Sequence, residues 1–268
     1  MRRLALIPIL ILGALAAQGE RWKIQYFFDE EHLRLVIEDL VFPSEKRGIA
    51  VGTIINEVDS GRHPRFVALV TSDGGEHWTQ SPIKEFPRSI FFLNDSLGWM
   101  VTDESIWFTE ESGRSWKKLS DQVRAPKKAN YKGGLLDRVY FLDEKHGFGA
   151  GYYKTAVETE DGGVTWTPIE EAGKPTANPQ YAFYGRITFS PDRKLGLMVG
   201  GSIPPRREDL FRPPLPSWME PERAATRRQI PTLTLMLETL DGGQSVYRQS
   251  AAQRRTKCRF LAFPKIRG

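Results

Sequence analysis

Four times along the chain, a short run of β-branched and aromatic residues ends in phenylalanine, passes through a polar turn and resumes as an apolar run opened by glycine. The copies are Leu40-Val41-Phe42 with Gly48-Ile49-Ala50-Val51-Gly52, and Ile90-Phe91-Phe92 with Gly98-Trp99-Met100-Val101. They continue as Val139-Tyr140-Phe141 with Gly147-Phe148-Gly149-Ala150-Gly151, and Ile187-Thr188-Phe189 with Gly196-Leu197-Met198-Val199-Gly200. Phe42, Phe92, Phe141 and Phe189 are separated by 50, 49 and 48 residues. Runs of this length and composition, bounded by Gly, Asp and Ser, read as strands. A period near fifty residues leaves room for about four short strands per unit. We label them A (ending at the Phe), B (the glycine-opened phrase), C and D.

The junction of C and D carries its own repeat. Thr71-Ser72-Asp73-Gly74-Gly75-Glu76-His77-Trp78 recurs as Thr159-Glu160-Asp161-Gly162-Gly163-Val164-Thr165-Trp166. A looser copy is Thr109-Glu110-Glu111-Ser112-Gly113-Arg114-Ser115-Trp116, and a fourth, Thr239-Leu240-Asp241-Gly242-Gly243-Gln244-Ser245-Val246, has lost the Trp. Asp-Gly-Gly between β-rich runs predicts a tight hairpin, with glycine supplying positive φ. The carboxylates of Asp73, Glu111, Asp161 and Asp241 are placed to accept backbone N–H groups of their own turn. Trp78, Trp116 and Trp166 then open strand D and bury a large ring that pins the corner to the sheet.

This constellation resembles the Asp-box (BNR) repeat of the sialidase-type propeller superfamily. The resemblance implies an all-β fold, a β-propeller of four-stranded antiparallel blades, with structural boxes lying away from the ligand face. About four blades are recognisable, either a four-bladed ring or an incomplete six- or seven-bladed one. Box repeats preceded by Gly98-Trp99 and Gly147-Phe148 are similar to the photosystem II stability/assembly factor-like group. That similarity covers roughly 22–246. It implies a non-catalytic scaffold on the exported side of a membrane that binds a protein or peptide partner, a membrane-complex subunit being one such partner.

The ends of the chain differ from the repeats. Met1-Arg2-Arg3, an apolar run from Leu4 to Leu15 and Ala14-Leu15-Ala16 predict a secretory signal peptide over 1–17, cleaved near Ala16 or Ala17, with no membrane span after cleavage. The expected location is therefore periplasmic or secreted. Cys258 is the single cysteine, so no intramolecular disulfide is expected. Trp22-Lys23-Ile24 resembles a strand D ahead of any strand A, and is expected to complete the last blade and close the ring. After Val246 the sequence turns basic and loses strand periodicity, predicting a disordered tail over 247–268 or a stretch foreign to the fold. On the second reading the chain is a truncated propeller without a function of its own.

The net charge of +5 comes from those ends. Seven basic residues and no acidic one follow Asp241. Setting them and Arg2 and Arg3 aside leaves 29 of the 38 basic residues against 33 acidic ones, a net charge of −4. A nucleic-acid interface is not expected on such a body.

Candidate chemistry is sparse. B-to-C loops should share a face with the start of strand A, and there three units place Arg88, Arg138 and Arg186. Converging guanidinium groups would bind carboxylates through forked hydrogen bonds. A Pro- and Arg-rich insertion over 202–231, containing Trp218, should overhang the same face; it is either a binding element or a solvated excursion. Sialidases share the box and an arginine triad, so a sialidase-like glycoside hydrolase is the alternative. That chemistry also needs a Tyr–carboxylate pair and an Asp acid/base, for which Tyr152, Tyr184, Glu158 and Asp137 are the available residues. His32, His63, His77 and His146 lack metal-ligand spacing, and no glycine loop suits a phosphate. Neither metal nor cofactor is expected, and no residue is assigned to catalysis.

Overall fold

Each predicted unit folds into one antiparallel sheet whose four strands lie in chain order. The computed structural model describes residues 23–58, 62–125, 133–203, 218, 233–243 and 246–250. The first sheet comprises β1 (Leu33–Val41), β2 (Gly48–Asn56), β3 (Arg65–Thr71) and β4 (Thr79–Ile83), and the second β5 (Pro87–Phe92), β6 (Gly98–Thr102), β7 (Ser105–Thr109) and β8 (Lys117–Asp121). The third holds β9 (Leu136–Phe141), β10 (Gly147–Gly151), β11 (Ala156–Thr159) and β12 (Thr167–Pro168), and the fourth β13 (Ala182–Phe189), β14 (Gly196–Ser202), β15 (Leu233–Thr239) and β16 (Val246–Ser250). The A strands β1, β5, β9 and β13 neighbour one another in succession, so the sheets are blades of a β-propeller with strand A innermost.

The repeated Phe and Gly prove to be one device. Phe92 lies directly opposite Gly98, Phe141 opposite Gly147, and Phe189 opposite Gly196. A Cβ on those three glycines would sit 2.6, 2.5 and 2.4 Å from the facing ring. Only a residue without a side chain lets the ring lie flat across the strand. Phe42, Phe92 and Phe141 in turn stand edge-on to the box indoles Trp78, Trp116 and Trp166, with ring centroids 6.0, 6.0 and 6.2 Å apart. Each A–B corner is thereby tied to the C–D corner of its own blade.

Blades pack face to face through three apolar seams. Ile49, Val51, Ala68 and Val70 of blade one meet Ile90, Phe92, Met100 and Trp107 of blade two. Trp99, Val101 and Ile106 then meet Leu136, Val139, Phe141 and Val157, with Trp99 stacked on Phe141 at 3.7 Å. The third seam joins Phe148, Ala150 and Ala156 to Tyr184, Met198, Leu235 and Leu237. Full burial of such side chains is worth about 1.5–3 kcal/mol each. In blade three β12 spans only two residues (Thr167–Pro168), although Ile169 N still donates to Ala156 O at 2.9 Å. A short helix α1 (Glu170–Gly173) and a 3-10 turn (Pro179–Tyr181) follow, and Ala172 of the helix and Ala177 between the two enter the third seam.

Two expectations about the ends are corrected. Residues 23–30 form no strand, and the fourth strand of the last blade is β16, paired with β15 from Thr239↔Val246 to Leu235↔Ser250. The ladder thus continues past 246, into the stretch expected to be tail. Backbone pairing after a Gly-Gly corner does not require the lost Trp, so the hairpin survives its absence. Trp22 and residues 251–268 lie outside the described residues, as do residues 1–17 and all of 204–232 except Trp218. Among the described residues, no helix is long and apolar enough to cross a membrane.

Candidate functional site

A β-bulge interrupts the inner strand of every blade. Pairing skips Glu38 between Ile37 and Asp39, Arg88 between Pro87 and Ser89, Asp137 between Leu136 and Arg138, and Gly185 between Tyr184 and Arg186. A bulge puts two residues opposite one and re-aims the side chains around it. The four bulged residues and the four that follow them (Asp39, Ser89, Arg138, Arg186) therefore occupy equivalent places around the axis. Arg88 sits on the bulge itself, whereas Arg138 and Arg186 follow it, which accounts for the one-residue offset of Arg88 in the sequence pattern.

The bulge brings acids to the arginines. Arg88 Nε donates to Asp103 Oδ1 of its own blade, and its Nη1 lies 3.8 Å from Asp137 Oδ1 of the next. Arg138 Nε lies 3.8 Å from Asp137 Oδ2, and Arg138 Nη1 reaches Asp39 Oδ2 of blade one at 3.4 Å. Asp103, Arg88, Asp137, Arg138 and Asp39 thus form a chain of alternating charge across three blades. Asp39 also accepts from Ile90 N at 3.0 Å, and Ser89 Oγ donates to the Asp137 carbonyl at 2.7 Å. The Arg88 guanidinium lies 5.3 Å from the centre of the Tyr152 ring, within cation–π range. In place of the expected cationic cluster, two of the three arginines, Arg88 and Arg138, sit among three carboxylates, Asp103, Asp137 and Asp39.

Arg186 differs. It is exposed, and its side chain makes no hydrogen bond or ion pair among the described residues. It lines a depression of about 310 Å³ together with Asp137, Arg138, Tyr152, Phe183 and Gly185. Tyr152 belongs to the B–C turn of blade three and bridges Phe183 of blade four. The B–C turn and the starts of strand A therefore share one face, as the sequence predicts. Trp218 is three-quarters exposed.

Of the residues available for glycoside chemistry, Asp137, Tyr152 and Tyr184 line the depression and Glu158 does not. Tyr184 is fully buried, and its hydroxyl donates to Ala172 O at 3.3 Å. Glu158 lies on β11 opposite Phe148 and Thr167, away from the depression. Burial pushes its carboxyl upward, and Glu160 and Glu171 add to the shift. Among the described residues no three His, Cys, Asp or Glu side chains gather as metal ligands.

The box corners lie at the other end of each blade, and a residue missed in the sequence pattern organises them. Thr71, Thr109, Thr159 and Thr239 are buried, and each Oγ1 accepts the N–H of the second corner position, Gly75, Gly113, Gly163 and Gly243, at 3.0, 3.2, 2.9 and 2.8 Å. Three of these hydroxyls donate to the box acid: Thr71 to Asp73, Thr159 to Asp161 and Thr239 to Asp241. Asp73 and Asp161 also accept His77 N and Thr165 N, while Glu111 accepts Ser115 Oγ at 2.7 Å. The recurrence of Thr at the head of all four boxes was the available signal. His77 stands where Ser or Thr usually does and places Nδ1 2.7 Å from Asp73 Oδ2, in the open.

No protein-family model matches the chain, and no curated protein does. Among solved structures it is similar to YCF48 bound to D1 peptide, at 17% identity and a TM-score of 0.37, covering 82% of this chain and 86% of that one. YCF48 from Cyanidioschyzon merolae is 15% identical at a TM-score of 0.40, over 81% and 88% of the two chains. A GH74 xyloglucanase from Xanthomonas campestris is 12% identical at 0.41, covering 82% of this chain and 47% of the enzyme. The assignment of the propeller fold rests on the chain's own four sheets and their repeated corners.

Proposed function

We propose that this protein is an exported, non-catalytic β-propeller that binds a protein or peptide partner on the face where strand A begins. The observation that carries the reading is the exposed Arg186 guanidinium, beside Tyr152 and Phe183, at the edge of a charge network that fixes Arg88 and Arg138 in place. A depression of about 310 Å³ suits a few side chains or a chain end. Guanidinium and phenol groups together favour a segment carrying both carboxylate and apolar character. The predicted signal peptide supports export, and a membrane-complex subunit on the exported side fits as partner. The test is capture of partners by the purified protein from an extracytoplasmic fraction, repeated with Arg88, Arg138 and Arg186 all changed to Ala. Loss of capture with the fold retained supports the reading, and undiminished capture removes the arginine face from it. The glycoside hydrolase alternative has less support, because Tyr184 is sequestered and Glu158 stands apart. Turnover of a glycoside panel would restore it.

A further inference from the structure

Counted from the glycine that opens strand B to the threonine that heads the box, blade three carries one residue more than blade two, and the addition falls in its B–C turn. Gly151 N donates to Thr155 O and Thr155 N to Tyr152 O, each at 3.0 Å, which closes a hairpin turn around Tyr153 and Lys154. Both residues have positive φ, at 58° and 59°. That is the geometry of a type I′ turn, which Asn-Gly or Gly-Gly fills at little cost and a tyrosine and a lysine do not. Asp103 and Glu104, in the corresponding turn of blade two, show no positive φ. The blade-three turn is held from three sides. Tyr152 N donates to Leu135 O of its own blade at 2.8 Å, and Lys154 N to Ala182 O of blade four at 2.9 Å. The buried Lys154 ammonium donates to carbonyls of the segment after β12. Backbone strain persists only where its surroundings fix it in this way, and it gathers at sites that bind.

What the strained turn presents is Tyr152. The Arg88 guanidinium rests against its ring, and the residue keeps 39% of its surface open on the wall of the depression. Phe183, its bridge partner, forms the adjoining wall. A Cβ at position 185 would stand 3.2 Å from the Phe183 ring, so the bulge glycine leaves that ring its room. Two aromatic walls therefore adjoin the exposed Arg186 guanidinium in one depression. A ring held rigid by its backbone supplies contact area at little entropic cost. We infer that Tyr152 is the specificity-determining residue of this face: it stacks on an aromatic side chain of the partner segment while Arg186 pairs with a carboxylate beside that side chain, an assignment that rests on the partner-binding function proposed above. Aromatic pairs gain from offset or edge-to-face geometry beyond the area they bury, so an aliphatic residue at position 152 covers the ring without that gain.

Two blocked peptides, acetyl-Gly-Phe-Asp-Gly-amide and acetyl-Gly-Ala-Asp-Gly-amide, separate the ring from the carboxylate. In NMR titrations of the full chain the first is expected to bind on the order of tenfold more tightly than the second. Tyr152→Leu, with its fold checked by thermal midpoint, reduces that preference about fivefold, and Tyr152→Phe preserves it. Arg186→Ala weakens both peptides alike and leaves their ratio in place. Partner capture keeps this role apart from the function on which it rests. Capture lost in the triple arginine variant but retained in Tyr152→Leu, with the peptide ratio unmoved, overturns the role of Tyr152 and leaves the binding face standing. Capture undiminished in both variants overturns the face and the role together. Equal affinity for the two peptides, or binding of neither, also overturns the role of Tyr152.

Discussion

Asp137 stands between Arg88 and Arg138, its two carboxylate oxygens each 3.8 Å from one guanidinium. It is the middle member of a charge chain that begins at Asp103 and ends at Asp39, so it decides how much positive potential the face presents. All five members are partly exposed, from 14% at Arg88 to 45% at Asp103, and both contacts of Asp137 are long at 3.8 Å, so its charge contributes little to stability. Asp137→Asn is therefore expected to change unfolding free energy by less than about 1 kcal/mol. It should also leave Arg88 with Asp103 alone and Arg138 with Asp39 alone, make the face more positive and tighten binding of a carboxylate-bearing peptide, an effect that fades as salt rises. Urea denaturation and fluorescence-anisotropy titration measure the two effects separately. A large stability loss with unchanged titration would show that the network is scaffolding.

The box threonines make the opposite prediction. Thr159 Oγ1 accepts from the buried N–H of Gly163 at 2.9 Å and donates to Asp161 Oδ1 at 2.8 Å. Thr159→Val keeps the shape but leaves that N–H unpaired, which costs about 1–3 kcal/mol. Thr159→Ser should recover most of the loss. Thr165→Val, which removes an exposed hydroxyl bond to Asp161 and leaves no buried N–H unpaired, should cost less than Thr159→Val. Denaturant midpoints of the three variants rank them directly.

Much of this architecture was legible because the corners are local. Asp-Gly-Gly sets its own turn within five residues, and the Phe and the B-strand glycine face one another across a short hairpin, so both repeat visibly in sequence. The site was less legible for a topological reason. Asp39 and Asp103 reach the arginines from a different blade or a different strand, and only the bulge reveals that Arg88 belongs one place ahead of Arg138. The fourth strand of the last blade was obscured because Val246 replaces the indole that marks strand D elsewhere, although the Gly242-Gly243 corner that pairs it remained in view.

The acid limb of stability should report the boxes. Hydrogen bonds from the Thr165 hydroxyl and N–H, and from Thr159, hold the Asp161 carboxyl at about 2, against an ordinary 3.8. The His77 N–H and ring, with Thr71, hold Asp73 well below the usual carboxylate range. A carboxyl whose pKa is depressed by folding contributes stability that is complete above its unfolded value and lost as pH falls through the folded one. Unfolding free energy is accordingly expected to decline between pH 3.8 and about 2. Asp161→Asn should flatten part of that decline while lowering stability at neutral pH. Urea midpoints across the acid range for both proteins test the sign, and an unchanged slope in the variant would contradict it.

Lys154 tests how blades three and four are held together. It is buried, and its ammonium donates to the carbonyls of Gly173, at 2.9 Å, Pro175 and Ala177. Those carbonyls belong to the segment after the truncated strand β12, where Ala172 and Ala177 pack into the seam with Tyr184 and Leu237. With only two ladder residues in β12, this cation takes over the ordering that a full fourth strand provides in the other blades. Lys154→Met retains the aliphatic stem and removes the charge, leaving three carbonyls without their shared donor. The expected cost is about 1.5–3 kcal/mol, the range for hydrogen bonds to a charged group. Amide exchange should quicken over 170–181 and at the start of β13, while β5 to β8, on the far side of blade three, keep their protection. Uniform acceleration across all four blades would mean that the lysine supports the whole propeller and not this one seam.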